Sequence, residues 1–310
     1  MDTKQTPPSV RIRVLPLPLD AGVYGQLLPD PPATADAEER FAHAITAVAP
    51  TDVCAAFLTE DAAGGGVGLG LLATEGLAPG QAKALVGVAP AHRRRGVGSL
   101  LLAAVEDAAR RQGRTSLQCY VRLGEGTLPF ALASGWRETR REVVQGVAAE
   151  NLGPAPQPVA GVFVEARVGA SLSRDEAASV YGAYADAGPA FAACVPLEDF
   201  IGRITQERPF NQVAVAWQGG LCVGMAWGQD AEPGAVFNEF TGVRPAFSGR
   251  GIAACLKHHL VQAAWQAGRP HLFTCNSPGN AAILAINRRL GYRPRFELAA
   301  LEKHIEKEIG

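Results

Sequence analysis

Two stretches decide the reading of this chain: Val88-Ala-Pro-Ala-His-Arg-Arg-Arg-Gly-Val-Gly98 and Val243-Arg-Pro-Ala-Phe-Ser-Gly-Arg-Gly-Ile-Ala253. Both run V-x-P into an Arg-Gly pair, and their offset is 243 − 88 = 155 at the start and 251 − 96 = 155 at the glycine. Downstream, Ser134-Gly135-Trp136 returns as Leu290-Gly291-Tyr292, with 291 − 135 = 156; upstream, Gly68 pairs with Gly224, again 156. Four anchors sharing one offset within a residue are too many for chance. Solenoid repeats are far shorter, about 20–50 residues, so the chain carries two copies of one domain. Its 310 residues agree, at roughly 150 per domain. Between the copies lies Asn151-Leu-Gly-Pro-Ala-Pro-Gln-Pro158, whose prolines suit a semi-rigid linker. The expected domains are therefore 1–150 and 151–310.

Each copy reads as mixed α/β (α+β), a mixed central sheet flanked by helices. In the second, strands are expected at Gly161–Arg167, Gln212–Trp217, Leu221–Gly228, Ala235–Val243, His271–Cys275 and Arg293–Leu298. Ser173-Arg-Asp-Glu176 is a capping-box pattern opening a helix to about Ala185, and Pro196 opens another ending near Gln206. Ile252, Leu256, Leu260, Val261 and Ala264 recur at helical spacing over Gly251–Ala267, and a shorter helix spans Asn280–Leu290. In the first copy, strands are expected at Val10–Leu15, Val53–Leu58, Gly68–Ala73, Ala82–Val88 and Leu117–Val121. Helices are expected over Glu38–Val48 and Gly98–Gln112, with a short one ending at Ser134.

Composition excludes several classes. Apolar residues make up 47%, charged residues 19%, and net charge is −1, so no overall field favours nucleic acid or a membrane surface. No apolar run approaches the ~20 residues of a membrane span, and Met1–Ser9 lacks the apolar core of a signal peptide, which points to the cytoplasm. The six cysteines lack paired spacing and read as small buried hydrophobes. Neither they nor the six histidines suggest a metal site, and the four tryptophans come with no nucleic-acid motif.

The chemistry gathers at the two quoted loops. Arg93, Arg94, Arg95, Gly96 and Gly98 sit between a strand and a helix. Glycine lets backbone approach a ligand closely, the first-turn amides of a helix lack partners, and arginines add charge-assisted donors. Together they suit a diphosphate. A dinucleotide fingerprint would need a third glycine where Leu101 stands, and a Walker loop would need Gly-Lys-Ser/Thr.

The order strand, V-x-P, R-x-x-G-x-G/A, amphipathic helix, short strand, second helix, Gly-aromatic resembles the GCN5-related N-acetyltransferase (GNAT) superfamily. The resemblance is specific over residues 81–136 and 236–292, and the tandem arrangement is similar to that of the mycothiol synthases, in which the C-terminal half is catalytic. It implies acetyl-CoA as co-substrate, a small-molecule or peptide amine as acceptor, and pantetheine lying between two splayed parallel strands. Carried onto this chain, it implies cofactor contacts at Val88 and Val243, at Gly249, Arg250, Gly251 and Ala253, and at Asn276, Asn280 and Asn287. Asn280 also fits a helix N-cap, whereas Asn287, in mid-helix, reads as the better ligand contact. Ser248 stands where the family has Gln or Arg. The family's acid tyrosine is replaced by Ala131 and Asn287. A carboxylate on the strand before the loop is the family's usual base. Glu239 occupies that strand in the second copy, and 239 − 155 = 84 gives Ala84 in the first. The reading is an N-acetyltransferase whose second half is catalytic; the alternative is a non-catalytic acyl-CoA-binding protein. The acceptor pocket is expected around Ala33–Ala49 and Ser173–Gln206.

Overall fold

The computed structural model describes residues 10–18, 36–46, 52–74, 80–124, 126–232 and 234–306. In chain order the first half forms β1 (Arg11–Val14), α1 (Ala37–Thr46), β2 (Val53–Glu60), β3 (Gly66–Ala73), β4 (Gln81–Val88), α2 (Val97–Arg111), β5 (Ser116–Arg122), α3 (Thr127–Ala133) and β6 (Arg137–Ala148). The second half forms β7 (Phe163–Val168), α4 (Arg174–Ala187), α5 (Pro189–Ala192), α6 (Leu197–Ile204), β8 (Asn211–Gln218), β9 (Leu221–Glu232), β10 (Ala235–Val243), α7 (Ile252–Gln266), β11 (His271–Asn276), α8 (Ala281–Arg289) and β12 (Arg293–His304). The expected helix over 38–48 is described only as far as Thr46.

Two compact units result, and their composition corrects the linear boundary near residue 150. One contains residues 1–141 with 298–310; the other contains 142–297. In the first unit the strands run β1-β2-β3-β4-β5-β12, and the closing strand is the chain's last: Leu298–His304 pair antiparallel with Arg122–Ser116. In the second unit they run β6-β11-β10-β9-β8-β7, closed by Val143–Ala148 of β6 against β11. Each half therefore gives up its final strand. No sequence pattern marks β6, because Arg137-Glu-Thr-Arg-Arg-Glu142 carries charge on both faces and shows no apolar alternation.

In each unit a long helix covers one sheet face. Leu101, Leu102, Val105, Ala108 and Ala109 of α2 pack on Leu72, Ala82, Ala84, Leu117 and Leu301. Ile252, Leu256, Leu260, Val261 and Ala264 of α7 pack on Ala214, Ala216, Val223, Val236 and Leu272. Each fully buried Leu or Ile contributes about 1.5–3 kcal/mol. The glycine pair Gly68 and Gly224 follows from this contact. A Cβ on Gly68 would come within 2.8 Å of Leu101, and one on Gly224 within 3.2 Å of Leu256. The opposite face of the second sheet, through Val213, Val215, Cys222 and Met225, is covered by α4 and α6. The Ser173–Glu176 capping box opens α4 with both of its hydrogen bonds made.

Candidate functional site

Both units contain one parallel strand pair, and in both the pair separates. β4 and β5 are in register only over Gln81–Lys83 with Ser116–Gln118, and β10 and β11 only over Ala235–Phe237 with His271–Phe273. Beyond those residues β4 stays paired with β3 as far as Val88, and β10 with β9 as far as Val243. Each pair thus opens into a V toward its C-terminal ends. In an antiparallel ladder successive residues alternate in the direction of their backbone groups. The Ala89 amide bonds to Val67 O and the Arg244 amide to Val223 O, so the amides of Val88 and Val243 turn the other way, into the opening.

The quoted loops close the mouth of each V. A single 3-10 turn, Pro90–His92 or Pro245–Phe247, leads to a glycine N-cap in the left-handed region, Gly96 (φ 82°) or Gly251 (φ 89°). No side chain caps either helix. The amides of Val97, Gly98 and Ser99, and of Ile252 and Ala253, are therefore available to an anion and sit at the positive end of a helix dipole. Arg94 holds the left-handed conformation (φ 61°) that Gly249 holds in the second loop (φ 77°). Arg93 donates from Nε to Val88 O at 2.9 Å, while Arg94 and Arg95 make no hydrogen bond or ion pair among the described residues. Arg250 stays exposed, donating to Gln218 and to Ala160 O and lying over the Phe247 ring. Arg244 donates to Cys222 O and pairs with Asp186 on α4, which directs it away from the loop.

The two openings differ at one residue. The ladder of β10 with β9 slips between Asn238 and Phe240, so Glu239 sits in a β-bulge, whereas β4 pairs with β3 in unbroken register. The parallel pairs align Ala235 with Gln81, an offset of 154, while Val243 and Val88 differ by 155. Glu239 is thus part of a one-residue insertion and has no strict counterpart in Ala84. The bulge also resets which side chains face which helix. Val236, Asn238, Thr241 and Val243 face α7, while Phe240 joins Tyr184, Phe200 and Trp227 beneath α4 and α6.

Glu239 lies on that second side, within electrostatic reach of Tyr184, Arg203 and Arg208, and accepts a hydrogen bond from Gln229 at 2.6 Å. Its side chain is exposed at the surface, with protein packed around it. Desolvation there pushes the carboxyl above the ordinary carboxylate range, opposed by the Gln229 bond and the two arginines. The arginines were not anticipated from sequence. The backbone that carries Arg203 is fixed by Asn211, which donates to the carbonyls of Arg203, Ile204 and Gln206 at the end of α6.

The asparagine block separates in the structure. Asn276 is half-buried at the end of β11, in the opened region, 3.5 Å from Thr274 Oγ1. Asn280 is the N-cap of α8, its side chain accepting from the Ile283 amide, so its oxygen serves the helix. Asn287 is fully buried and donates to Gln145 of β6 at 2.8 Å, while its Oδ1 has no hydrogen-bond partner among the described residues, so the side chain lies in the core where its mid-helix position suggested a ligand contact. Tyr292 is equally buried, and burial drives its hydroxyl far above its usual pKa, so it has no access to a leaving thiol. Around the expected acceptor region, Asp186 pairs with Arg244 and Glu198 with Arg174. Of the segment Ala33–Ala49, residues 33–35 and 47–49 lie outside the described residues. Among the described residues no cluster of three His, Cys, Asp or Glu is placed to hold a metal, and no helix is long and apolar enough to cross a membrane.

Fold and openings together define the class, a GNAT fold built twice in one chain. Residues 31–131 match the sequence model of the acetyltransferase (GNAT) family, so the first half carries a domain of that family, whose general chemistry is acyl transfer from an acyl-CoA. The chain is similar in structure to a GCN5-related N-acetyltransferase from Sphaerobacter thermophilus, at 21% identity and TM-score 0.75, covering 98% of both chains. It is also similar to a tandem GNAT protein from the clavulanic acid biosynthesis pathway, at 20% identity and TM-score 0.69, covering 96% of this chain and 100% of that one. A GCN5-related N-acetyltransferase from Kribbella flavida follows at 19% identity and TM-score 0.56, covering 76% and 86%. At these identities the likeness establishes the fold. No curated protein matches the chain by sequence.

Proposed function

We propose that this chain moves an acetyl group from acetyl-CoA to the amine of a small molecule or peptide, and that its second half performs the transfer. The observation that carries the reading is the bulge: it displays Glu239 beside the opening between β10 and β11, and the first half has no such residue. The diphosphate sits on the amides after Gly251, with Gly249, Arg250 and Ala253 around it. In the first half Val88, Arg93, Arg94, Arg95, Gly96 and Gly98 hold a second acyl-CoA that is not turned over.

The amine nitrogen attacks the thioester carbonyl, a C–N bond forms, and the carbonyl oxygen takes up charge opposite the Val243 amide. Glu239 accepts the amine proton, directly or through a water. The C–S bond then breaks. A thiol with a pKa of about 8.5 leaves without a protein acid, and the thiolate takes its proton from water. A carboxyl pKa raised by desolvation from the surrounding protein brings Glu239 closer to neutrality, where a base is most effective. Thiol release over a panel of amines tests the reading. Glu239→Gln lowers kcat about 100-fold or more; undiminished turnover removes Glu239 from the mechanism.

A further inference from the structure

On the α7 side of the bulge lies a cationic group that the reaction above does not use. Lys257 is 1% exposed. Its Nζ donates to Asn238 Oδ1 at 2.5 Å and lies 5.0 Å from the centroid of the Tyr292 ring. No carboxylate pairs with it among the described residues, and burial pulls the ammonium down to a pKa of about 7. An unpaired buried ammonium is destabilising, so its presence calls for a role. The first half has Leu102 at the corresponding offset of 155, and no bulge.

Asn238 is the residue through which Lys257 reaches the site. Its Nδ2 donates to Trp227 O at 2.9 Å and to Phe240 O at 2.8 Å, the two carbonyls flanking the slip in the ladder. Its Oδ1 accepts from both Lys257 and Thr241. Its own carbonyl accepts from Thr274 on β11. Four side-chain hydrogen bonds at the bulge converge on this one amide, and the ammonium joins Thr241 and the two carbonyls in fixing which way it points. A flipped amide would set Nδ2 against Nζ and turn Oδ1 onto two carbonyl oxygens.

Resting on the assignment of Glu239 as base, we propose that Lys257 is a positioning residue: through Asn238 it locks the β10 bulge that presents Glu239 to the acceptor amine. The lock is strongest with the proton on Nζ, because an ammonium donates more strongly to Asn238 Oδ1 than a neutral amine does. The titratable or charged groups around it are few: Tyr292 against the ammonium, His258 beside it on α7, and, on the other side of the strand, Glu239 with Arg203, Arg208 and Tyr184.

The test compares Lys257→Met, Asn238→Asp and Glu239→Gln in the full chain. Hydrogen exchange over residues 236–243, CoA affinity by calorimetry, and kcat against pH are measured for each. In Lys257→Met, exchange over 236–243 speeds at least about 10-fold as the bulge loosens. Its kcat falls about 10- to 100-fold through misplacement of the base, and any loss of kcat on the alkaline side that follows deprotonation of Nζ disappears, while CoA affinity stays within about twofold because the diphosphate loop is a separate element. Asn238→Asp retains both acceptor bonds but loses the two donations, and gives the same pattern. Unchanged exchange over 236–243 in both variants overturns the lock. So does an unchanged kcat and alkaline limb in Lys257→Met alongside an inactive Glu239→Gln. If Glu239→Gln keeps full turnover, the base assignment fails by itself, and the link from the lock to catalysis fails with it.

Discussion

Replacing Lys257 with methionine will make the protein more stable at pH 7 and will flatten its dependence of stability on alkaline pH. The ammonium has an ordinary pKa of 10.5 and falls to about 7 in the fold, with desolvation as the cause. Between those values the unfolded chain holds a proton that the folded chain tends to release, so stability rises with pH across that window. It is greatest above about 10.5, is lost as pH falls, and reaches its floor below about 7. At about 1.4 kcal/mol per unit, the full separation corresponds to on the order of 5 kcal/mol. Acceptance by Asn238 and the face of Tyr292 return part of this, roughly 1–2 kcal/mol, which leaves on the order of 3 kcal/mol. Methionine has similar length, lacks the charge, and is tolerated in irregular apolar space. Urea denaturation of both proteins at pH 7 and pH 9.5 reads the effect, because other titrating groups cancel in the difference. The expected result is a variant more stable by about 2–3 kcal/mol at pH 7, with the gap narrowing at pH 9.5. Parallel pH dependences, or a variant less stable at pH 7, would refute the reasoning that this lysine is buried at a net penalty.

Three further outcomes follow from the geometry. Activity will fall as pH drops through the raised pKa of Glu239, since the base must be ionised, and that acidic limb will vanish in whatever turnover Glu239→Gln retains. Gly251→Ala forces a Cβ onto a residue at φ 89°, which costs about 1–2 kcal/mol of stability and weakens CoA uptake by the second half in calorimetry. Gly68→Ala brings a Cβ to 2.8 Å from both Leu101 and Thr59, which destabilises by about 1–3 kcal/mol in thermal melts; an unchanged melting temperature would show that α2 is free to shift.

Much of the fold was legible because the signals were local. Leu256, Leu260, Val261 and Ala264 mark α7 by spacing alone, and Ser173 with Glu176 marks the start of α4. The four-residue α5 was too short to give a period, and the charged half of β6 hid a strand whose partner lies more than a hundred residues away. The loops were readable because glycine is required there by φ. The fate of Asn287 was not, because an amide that bonds to Gln145 and one that bonds to a ligand occupy the same helix position in sequence. Nor was the bulge: an added residue in a strand leaves no trace except a drift of one in the offset between copies.

The exchange of closing strands has a practical meaning for anyone cutting this gene. A fragment ending near residue 150 keeps β6, which belongs with β11, and lacks β12, leaving Ser116–Arg122 with a bare edge. It also lacks Lys303, which in the intact chain bonds to Glu106 on α2 and to Ser134 O. The complementary fragment begins without the strand that lines one side of its cleft-forming β11. Duplication made two copies whose ends are exchanged, so a dissection that keeps each sheet whole grafts residues 298–306 behind the first half and begins the second at 142.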